Sequence, residues 1–486
     1  MIKLKGLQPV WEQSIIDKQK TTAELIPGNP INKGVVFQTT EEWEGNAFRY
    51  PNVIYEDGKY RMYYLSHVQW DEKIENNDNV EGTTITILNI FVCYAESDDG
   101  INWVKPSLGI CEYNGSKDNN IILMSADKPE KGGFFDNFFV FKDTNPNCEP
   151  EKRYKALAYM NLYQLGCYTS ADGIHFNYER TFDLDGKFDT LNVCWWDEQI
   201  GKYVAYIRDF HDIPEGDLNA GIRDIRRTES EDFINWTTPV LIKFNETEDY
   251  PIYTSNICRY YRNPDILIGF PTRYVERPCW NENYEQLCGR DDRLESMEKE
   301  SKRAGLAVTD SIFMASRDGL NWDKIDEALF TPGPEFSKNW VYGDCYNAYH
   351  MLETPSENGE NTELSIFVSQ YYDSRASHDS VMERYTIRRD GFACYRARFK
   401  GDKLVTKPFV FEGEEFFINF STSAKGSIYI TIKDSEGNTA KTCELFGDAD
   451  ERKVTFENAK VSEFSGKEVT LEFDMKDAKL YSFMFR

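Results

Sequence analysis

One short pattern recurs five times along the chain: a small polar cluster, then glycine or phenylalanine, then an aromatic ring shortly after. The copies span Tyr94–Trp103, Tyr168–Phe176, Thr228–Trp236, Met314–Trp322 and, more loosely, Tyr385–Tyr395, centred on Asp99, Asp172, Asp232, Asp318 and Asp390. Asp-Gly between β-rich runs is a hairpin signal, because glycine takes φ > 0 without steric cost. A hairpin signal that recurs through a chain means repeated supersecondary units. Each interval has room for four strands and a long loop, and the longest lies between Asp232 and Asp318. Five such units closed into a ring make a β-propeller, which gathers one inner strand per blade around a central pocket.

The flanking sequence supplies the strands. Arg49–Tyr55 and Tyr60–Leu65 are β-rich runs on either side of Glu-Asp-Gly-Lys, and the same grammar recurs at Val193–Trp196 with Tyr203–Ile207 and at Ile257–Tyr261 with Ile266–Phe270. These are expected as first and second strands of blades one, three and four, with each later Asp-Gly cluster joining a third strand to a fourth. Residues 1–40 read as a lead-in. Residues 281–304 carry Glu285, Arg293, Glu295, Lys299 and Lys302 without a β pattern, and are expected as an exposed helix or a mobile insert in blade four. After Tyr395 the character changes to short alternating strands: Phe416–Phe420, Ser427–Ile432, Lys453–Phe456, Val469–Phe473 and Leu480–Phe485. The expected fold is therefore all-β: a five-bladed β-propeller over 1–395, followed by a C-terminal β-sandwich over 396–486.

Composition narrows the function. The 486 residues carry a formal net charge of −26. Such a field repels phosphate backbones and anionic membrane surfaces, so neither nucleic acid nor membrane is an expected partner. A neutral sugar does not feel that repulsion. The 11 cysteines are scattered, with no CxxC and no zinc-ligand spacing, so they are expected as reduced, mostly buried thiols with no metal bound. The N-terminus lacks the apolar core of a signal peptide and no run approaches about 20 apolar residues, so a cytoplasmic location is expected. No phosphate loop, dinucleotide fingerprint, HExxH or G-x-S-x-G is present, and no cofactor is expected.

A five-bladed ring followed by a β-sandwich resembles the fructan-cleaving enzymes of glycoside hydrolase family 32, and the propeller alone is similar to the arabinosidases and xylosidases of family 43. The stretches Tyr94–Asn120 and Asp477–Phe483 look like a bacterial group described as family-32-like. The resemblance implies a glycosidase acting on small oligosaccharides, fructofuranosides or other furanosides among them. Family 32 carries Asn-Asp-Pro-Asn on the first inner strand, with the aspartate as nucleophile. Here the stretch reads Phe48-Arg49-Tyr50-Pro51-Asn52, and Tyr50 stands at the nucleophile's place. The carboxyl groups of this chain must then come from elsewhere, or the ring binds sugar without cleaving it. Some family 43 propellers hold an axial calcium near a blade-five histidine, and His350 stands in blade five.

Glycoside hydrolysis generally needs two carboxyl groups flanking the scissile bond. Asp136 and Asp189 occupy matching places at the entries of blades two and three, Asp136 among aromatics that favour its neutral form. Asp344 in blade five is the third candidate acid. Glu44 is a candidate rim acid. Arg49, Tyr50, Arg208, Arg273, Asp310, Trp340 and Tyr342 are expected to bind substrate, the arginines as planar donors and the rings as stacking surfaces. The competing readings are strand-entry turns for the acids, ion pairs for the arginines (Arg273 with Asp310 among them) and plain core for the rings. The Asp-Gly aspartates lack the ligand density of calcium loops and read as turn residues.

Overall fold

The computed structural model describes residues 2–45, 47–68, 88–125, 136–160, 163–215, 221–245, 248–299, 302–356, 362–370 and 380–486. Among these residues five β-sheets follow one another around a ring. Blade one is Ala47–Glu56, Lys59–Val68, Leu88–Ser97 and Ile121–Met124; blade two is Phe139–Lys142, Tyr154–Met160, Gln164–Ser170 and Asn177–Thr181; blade three is Val193–Asp197, Lys202–His211, Ile222–Ser230 and Val240–Leu241. Blade four runs Ile257–Arg259, Leu267–Gly269, Ala307–Ser316 and Asn321–Phe330, with Thr272–Glu276 also laid against Ala307–Ser311. Blade five runs Tyr346–Asn347, Thr362–Gln370 and Val381–Ile387, and its outermost strand is Ile31–Gln38 from the start of the chain. The last blade is thus completed by the first part of the sequence. A parallel bridge between Asn52 and Tyr349 joins the inner edges of blades one and five.

The repeated aspartates show why the sequence pattern recurs. Asp99, Asp172, Asp232 and Asp318 each follow the third strand of a blade. In each, one carboxylate oxygen accepts the backbone N–H groups two and three residues ahead, at 2.7–2.9 Å. The serine two residues before each aspartate accepts the N–H of the residue after it, at 2.9–3.0 Å. This is local turn chemistry, in which a side chain satisfies backbone donors that no ladder reaches.

Asp390 also sits in a turn, at φ +59°, but its carboxylate does not cap that turn. The fourth strand of its blade comes from the N-terminus, so the chain after Asp390 leaves for the sandwich. Its fully buried carboxylate meets Tyr260 and Arg262 of blade four on one side, and Ser482 at 2.6 Å and Asn419 at 3.2 Å from the sandwich on the other. The indole of Trp11 donates to the Asp390 carbonyl at 2.9 Å and packs edge-on against Phe313 and Tyr260.

In the sandwich, segments expected as separate strands merge into two long ones, Phe416–Asp434 and Glu468–Phe485, paired along their length. Both bend, at a register shift between Thr422 and Ser427 and at Asp477, whose φ is +43°. The ribbon therefore folds over itself and enters both layers. One layer adds Asp448–Val454, Leu7–Pro9, Ala393–Ala397 and Glu24–Pro27; the other adds Thr439–Lys441, Asp402–Val405, Phe409–Phe411 and Ile2–Leu4. The lead-in consequently divides between the sandwich and blade five. Phe409, Phe416, Phe473 and Phe483 lie at the centre of the sandwich core, each 0% exposed.

The 281–304 insert forms short helices, Glu282–Gln286, Arg290–Lys299 and Lys302–Leu306. Arg293, expected on an exposed face, is 2% exposed and donates to the Gly305 carbonyl at 3.1 Å. No described helix is long and apolar enough to cross a membrane. The 11 cysteines are all free thiols.

Candidate active site

Each inner strand carries a buried asparagine bonded to backbone of a neighbouring strand or blade, close to the strand's start in blades two to five and past the register shift in blade one. Asn52 accepts from the Val140 N–H at 2.8 Å; Asn137 donates to the Phe188 carbonyl at 3.0 Å; Asn347 donates to the Phe270 carbonyl at 3.2 Å. Asn192 accepts from the Arg208 N–H at 3.1 Å, and Asn256 donates to the Asn347 carbonyl at 2.5 Å. All five are at most 3% exposed. The signal was present in the sequence as one asparagine in or just before every inner strand, and the Asp-Gly clusters do not reveal it.

These anchors hold an unusual backbone. Tyr50, Phe188, Asn256 and Cys345 adopt φ of +51°, +50°, +43° and +59° at or just before the inner strands of four blades. Left-handed backbone at non-glycine residues costs about 1 kcal/mol or more each and collects at functional sites. In blade one it coincides with a register shift between Arg49 and Asn52. Strict alternation is broken there, so Arg49 and Tyr50 both turn to the axis.

The acids stand beside arginines. The Asp136 carboxylate meets Arg49 Nη1 at 3.3 Å across the gap between blades two and one. Asp189 meets Arg208 Nη1 at 2.7 Å within blade three. The Asp136 side chain is 16% exposed and that of Asp189 46%. Burial pushes the Asp136 carboxyl up to about 6; the Arg49 cation opposes this and the Asp189 charge adds to it. The two acids therefore sense each other and sit in different surroundings.

A stack of tyrosines adjoins them. Tyr346 sits between Tyr50 and Tyr253, nearly parallel to both, with centroids 6.4 Å and 5.6 Å away. Tyr342 meets Tyr253 edge-on at 5.9 Å, and the Tyr50 and Tyr253 hydroxyls are 3.4 Å apart. Burial first, then the neighbouring phenols, hold Tyr50, Tyr342 and Tyr346 well above the ordinary tyrosine range, so they remain neutral hydrogen-bonding groups. The Arg208 and Arg223 guanidinium groups lie over the Tyr253 ring at 5.4 Å and 5.9 Å. Tyr159, near both acids, is pushed up to about 12 by burial and then by Asp189.

Of the residues expected to form the site, Asp136, Asp189, Arg49, Tyr50, Arg208 and Tyr342 come together. Four stand apart. Arg273 and Asp310 form a fork of 2.8 Å and 2.6 Å with each other, because strand alternation turns Tyr274 to the tyrosine cluster and Arg273 away from it. Asp344 is fully buried and its carboxylate accepts the Val341 N–H at 3.1 Å, a structural turn contact. The Trp340 indole is spent on the Gly333 carbonyl at 2.8 Å. Glu44 is also buried, accepting the Thr40 and Glu41 N–H groups at 2.7 Å and 2.9 Å and pairing with Lys105 at 2.6 Å. Tyr253, Tyr274, Arg223 and Tyr159 are the cluster members that sequence reasoning missed.

Among the described residues, His211, Asp212 and Asp249 place ligand atoms close enough for a metal ion. Both ring nitrogens of His211 are engaged by carboxylates, Asp224 at 3.2 Å and Asp249 at 2.9 Å, and Arg226 also pairs with Asp224. That is the chemistry of an ion-pair network.

No protein-family model matches the chain, and no curated protein does. Similar solved structures include an N-acetylgalactosamine deacetylase from F. plautii in complex with blood group B trisaccharide, at 12% identity and a TM-score of 0.44 over 75% of this chain and 95% of that one. A glycoside hydrolase family 43 arabinoxylan arabinofuranohydrolase from Bacillus subtilis, in complex with cellotetraose, is similar at 11% identity and a TM-score of 0.40, over 96% and 99%. A β-xylosidase, RS223, is similar at 12% identity and a TM-score of 0.41, over 74% and 94%. The chemistry assigned to this chain comes from its own side chains.

Proposed function

We propose that the protein is a glycoside hydrolase that acts on small oligosaccharides in the cytoplasm, without a cofactor, and that fructofuranosides or other furanosides are its substrate class. The observation that carries this reading is the pair Asp136 and Asp189 at one mouth of the ring, in unlike environments. Two carboxyls whose surroundings differ are the usual basis for dividing acid and base roles. Asp136, pushed up to about 6, is the proton donor to the leaving oxygen. Asp189, more open and held by Arg208, is the second carboxylate, acting on water or directly on the anomeric carbon. Arg49 orients Asp136 and the sugar hydroxyls, and the tyrosine stack floors the pocket.

The reading as a non-catalytic sugar-binding ring has its own support. Tyr50 stands at the place of the family nucleophile with its hydroxyl turned to Tyr253, and both acids are paired with arginine. A screen of 4-nitrophenyl furanosides and pyranosides, sucrose and 1-kestose separates the two. The hydrolase reading expects turnover that falls by about 10²–10⁴ in Asp136→Asn and at least as far in Asp189→Asn, with both variants folded. Binding of the sugars without turnover in the wild-type protein would decide for the binding ring.

A further inference from the structure

The ring has a second mouth. In every blade the cluster around Asp136 and Asp189 takes residues from the start of the inner strand. A separate cavity of about 800 Å³ takes residues from its end: Tyr55 in blade one, Phe141 in blade two, Trp195 in blade three, Tyr261 in blade four and Met351 in blade five. Inner strands run side by side around the axis, so the two groups of residues open on opposite faces. The axis between them is filled. Phe139 and Tyr349 meet edge-on at 4.8 Å, and Val53 and Cys194 are each 0% exposed beside them. A ligand at one mouth cannot reach the other through the core.

The cavity has the size of a small-molecule site, about 300–1,000 Å³. Its walls are rings. Tyr55 and Tyr261 are 59% and 42% exposed. Trp195 is held nearly parallel to Tyr206, at 5.8 Å and 17°. Its polar groups carry no net positive charge: Lys142 is paired with Glu56, while Asp98 and Glu353 stand in the lining as acids. His350 is kept neutral by burial, and its Nδ1 faces the Met351 carbonyl at 2.7 Å, which makes Nδ1 the donor and leaves Nε2 as an acceptor. Glu353 accepts from the Tyr261 hydroxyl at 2.7 Å and fixes that ring. The one lysine of this lining is already paired with Glu56, in a chain of net charge −26, so an anion gains little here. Flat rings with neutral acceptors and a carboxylate suit a ligand with C–H faces and hydroxyl edges.

We propose that this lower mouth is a second binding site, for a neutral saccharide unit, with Tyr261 and Trp195 as stacking surfaces and His350 and Glu353 as hydroxyl acceptors. The site does not depend on the roles given to Asp136 and Asp189.

The test uses the full chain carrying Asp136→Asn and Asp189→Asn, so that the upper mouth turns nothing over. Saturation-transfer NMR and calorimetric titration are run with 1-kestose, xylotriose and maltotriose, and with indole as an apolar ring probe. The expected result is binding of at least one trisaccharide that weakens roughly tenfold on adding Tyr261→Ala or, separately, Tyr55→Ala, the scale of one lost ring contact. Both rings are exposed enough to be removed from a folded chain, and two independent variants guard against a local defect in either. The proposal is overturned if no trisaccharide binds, if binding ignores both substitutions, or if indole alone responds to them. Turnover by the wild-type protein plays no part in these outcomes, so failure here leaves the upper site standing.

Discussion

At the scale of single residues, the account turns on Asp136. In the proposed hydrolase its acid form is the catalytic one, and that form is lost as pH rises through about 6. The rate therefore falls on the alkaline side of that value, and Asp136→Asn abolishes this limb together with most of the rate. Arg49 opposes the upward push of burial. Arg49→Met removes the cation and moves the limb to higher pH; a pH–rate profile reads the shift, and an unmoved limb would take Arg49 out of the acid's environment. Asp136 and Asp189 were legible in the sequence because each stands at a strand entry beside aromatic residues. Arg273 misled because a strand's two faces look alike in sequence until the axis is known. One residue further on, Tyr274 is the one that reaches the cluster.

At the scale of elements, the repeated turns are the most legible part of the chain, because their hydrogen bonds are local. Burial, the largest single influence at Asp99, pushes its carboxyl up, but the N–H groups of Asn102 and Ile101 and the side chains of Asn102 and Ser97 together outweigh it; at Asp232 the Asn235 N–H leads; both carboxyls are held down to about 2, below the value of an unfolded aspartate. A depressed folded pKa contributes stability that is present above about pH 4 and is lost as pH falls through about 2. Thermal melts between pH 5 and 2 should steepen on that side, and Asp99→Ala with Asp232→Ala should flatten the slope at a cost of about 1 kcal/mol each near pH 7. An unchanged slope would leave these carboxylates outside the acid transition. The turn glycines differ in what surrounds them. Gly58 has φ +82° and open space around it, so Gly58→Ala should cost about 1 kcal/mol of backbone strain. Gly319 has φ +72° and a side chain there meets Arg227 and Tyr206, so Gly319→Ala should cost about 2 kcal/mol more. Urea melts of the two variants compare them directly; equal losses would show that the blade contact at Gly319 yields freely. The long bent strands of the sandwich were less legible, because their bends at Thr422–Ser427 and Asp477 resemble the turns that end a strand.

At the scale of the whole molecule, long-range contacts that no local pattern announces join the parts. Ile31–Gln38 closes blade five, three short N-terminal strands enter the sandwich, and Asp390 locks ring to sandwich. Asp390→Ala leaves the Arg262 cation, 13% exposed, without that partner. The expected loss is about 3–5 kcal/mol in urea unfolding, with Asp390→Asn milder; a loss below about 1 kcal/mol would show that the joint is held elsewhere. The central claim is that Asp136 and Asp189 face one sugar at the upper mouth. A crystal of the Asp189→Asn protein, soaked with the best substrate from the glycoside screen, tests it most directly. The account predicts the glycosidic oxygen within about 3.2 Å of an Asp136 carboxyl oxygen, the hydrogen-bond reach of a general acid, with residue 189 on the far side of the bond. A sugar bound elsewhere, or one lying across the mouth with neither position 136 nor position 189 beside its glycosidic bond, would contradict it.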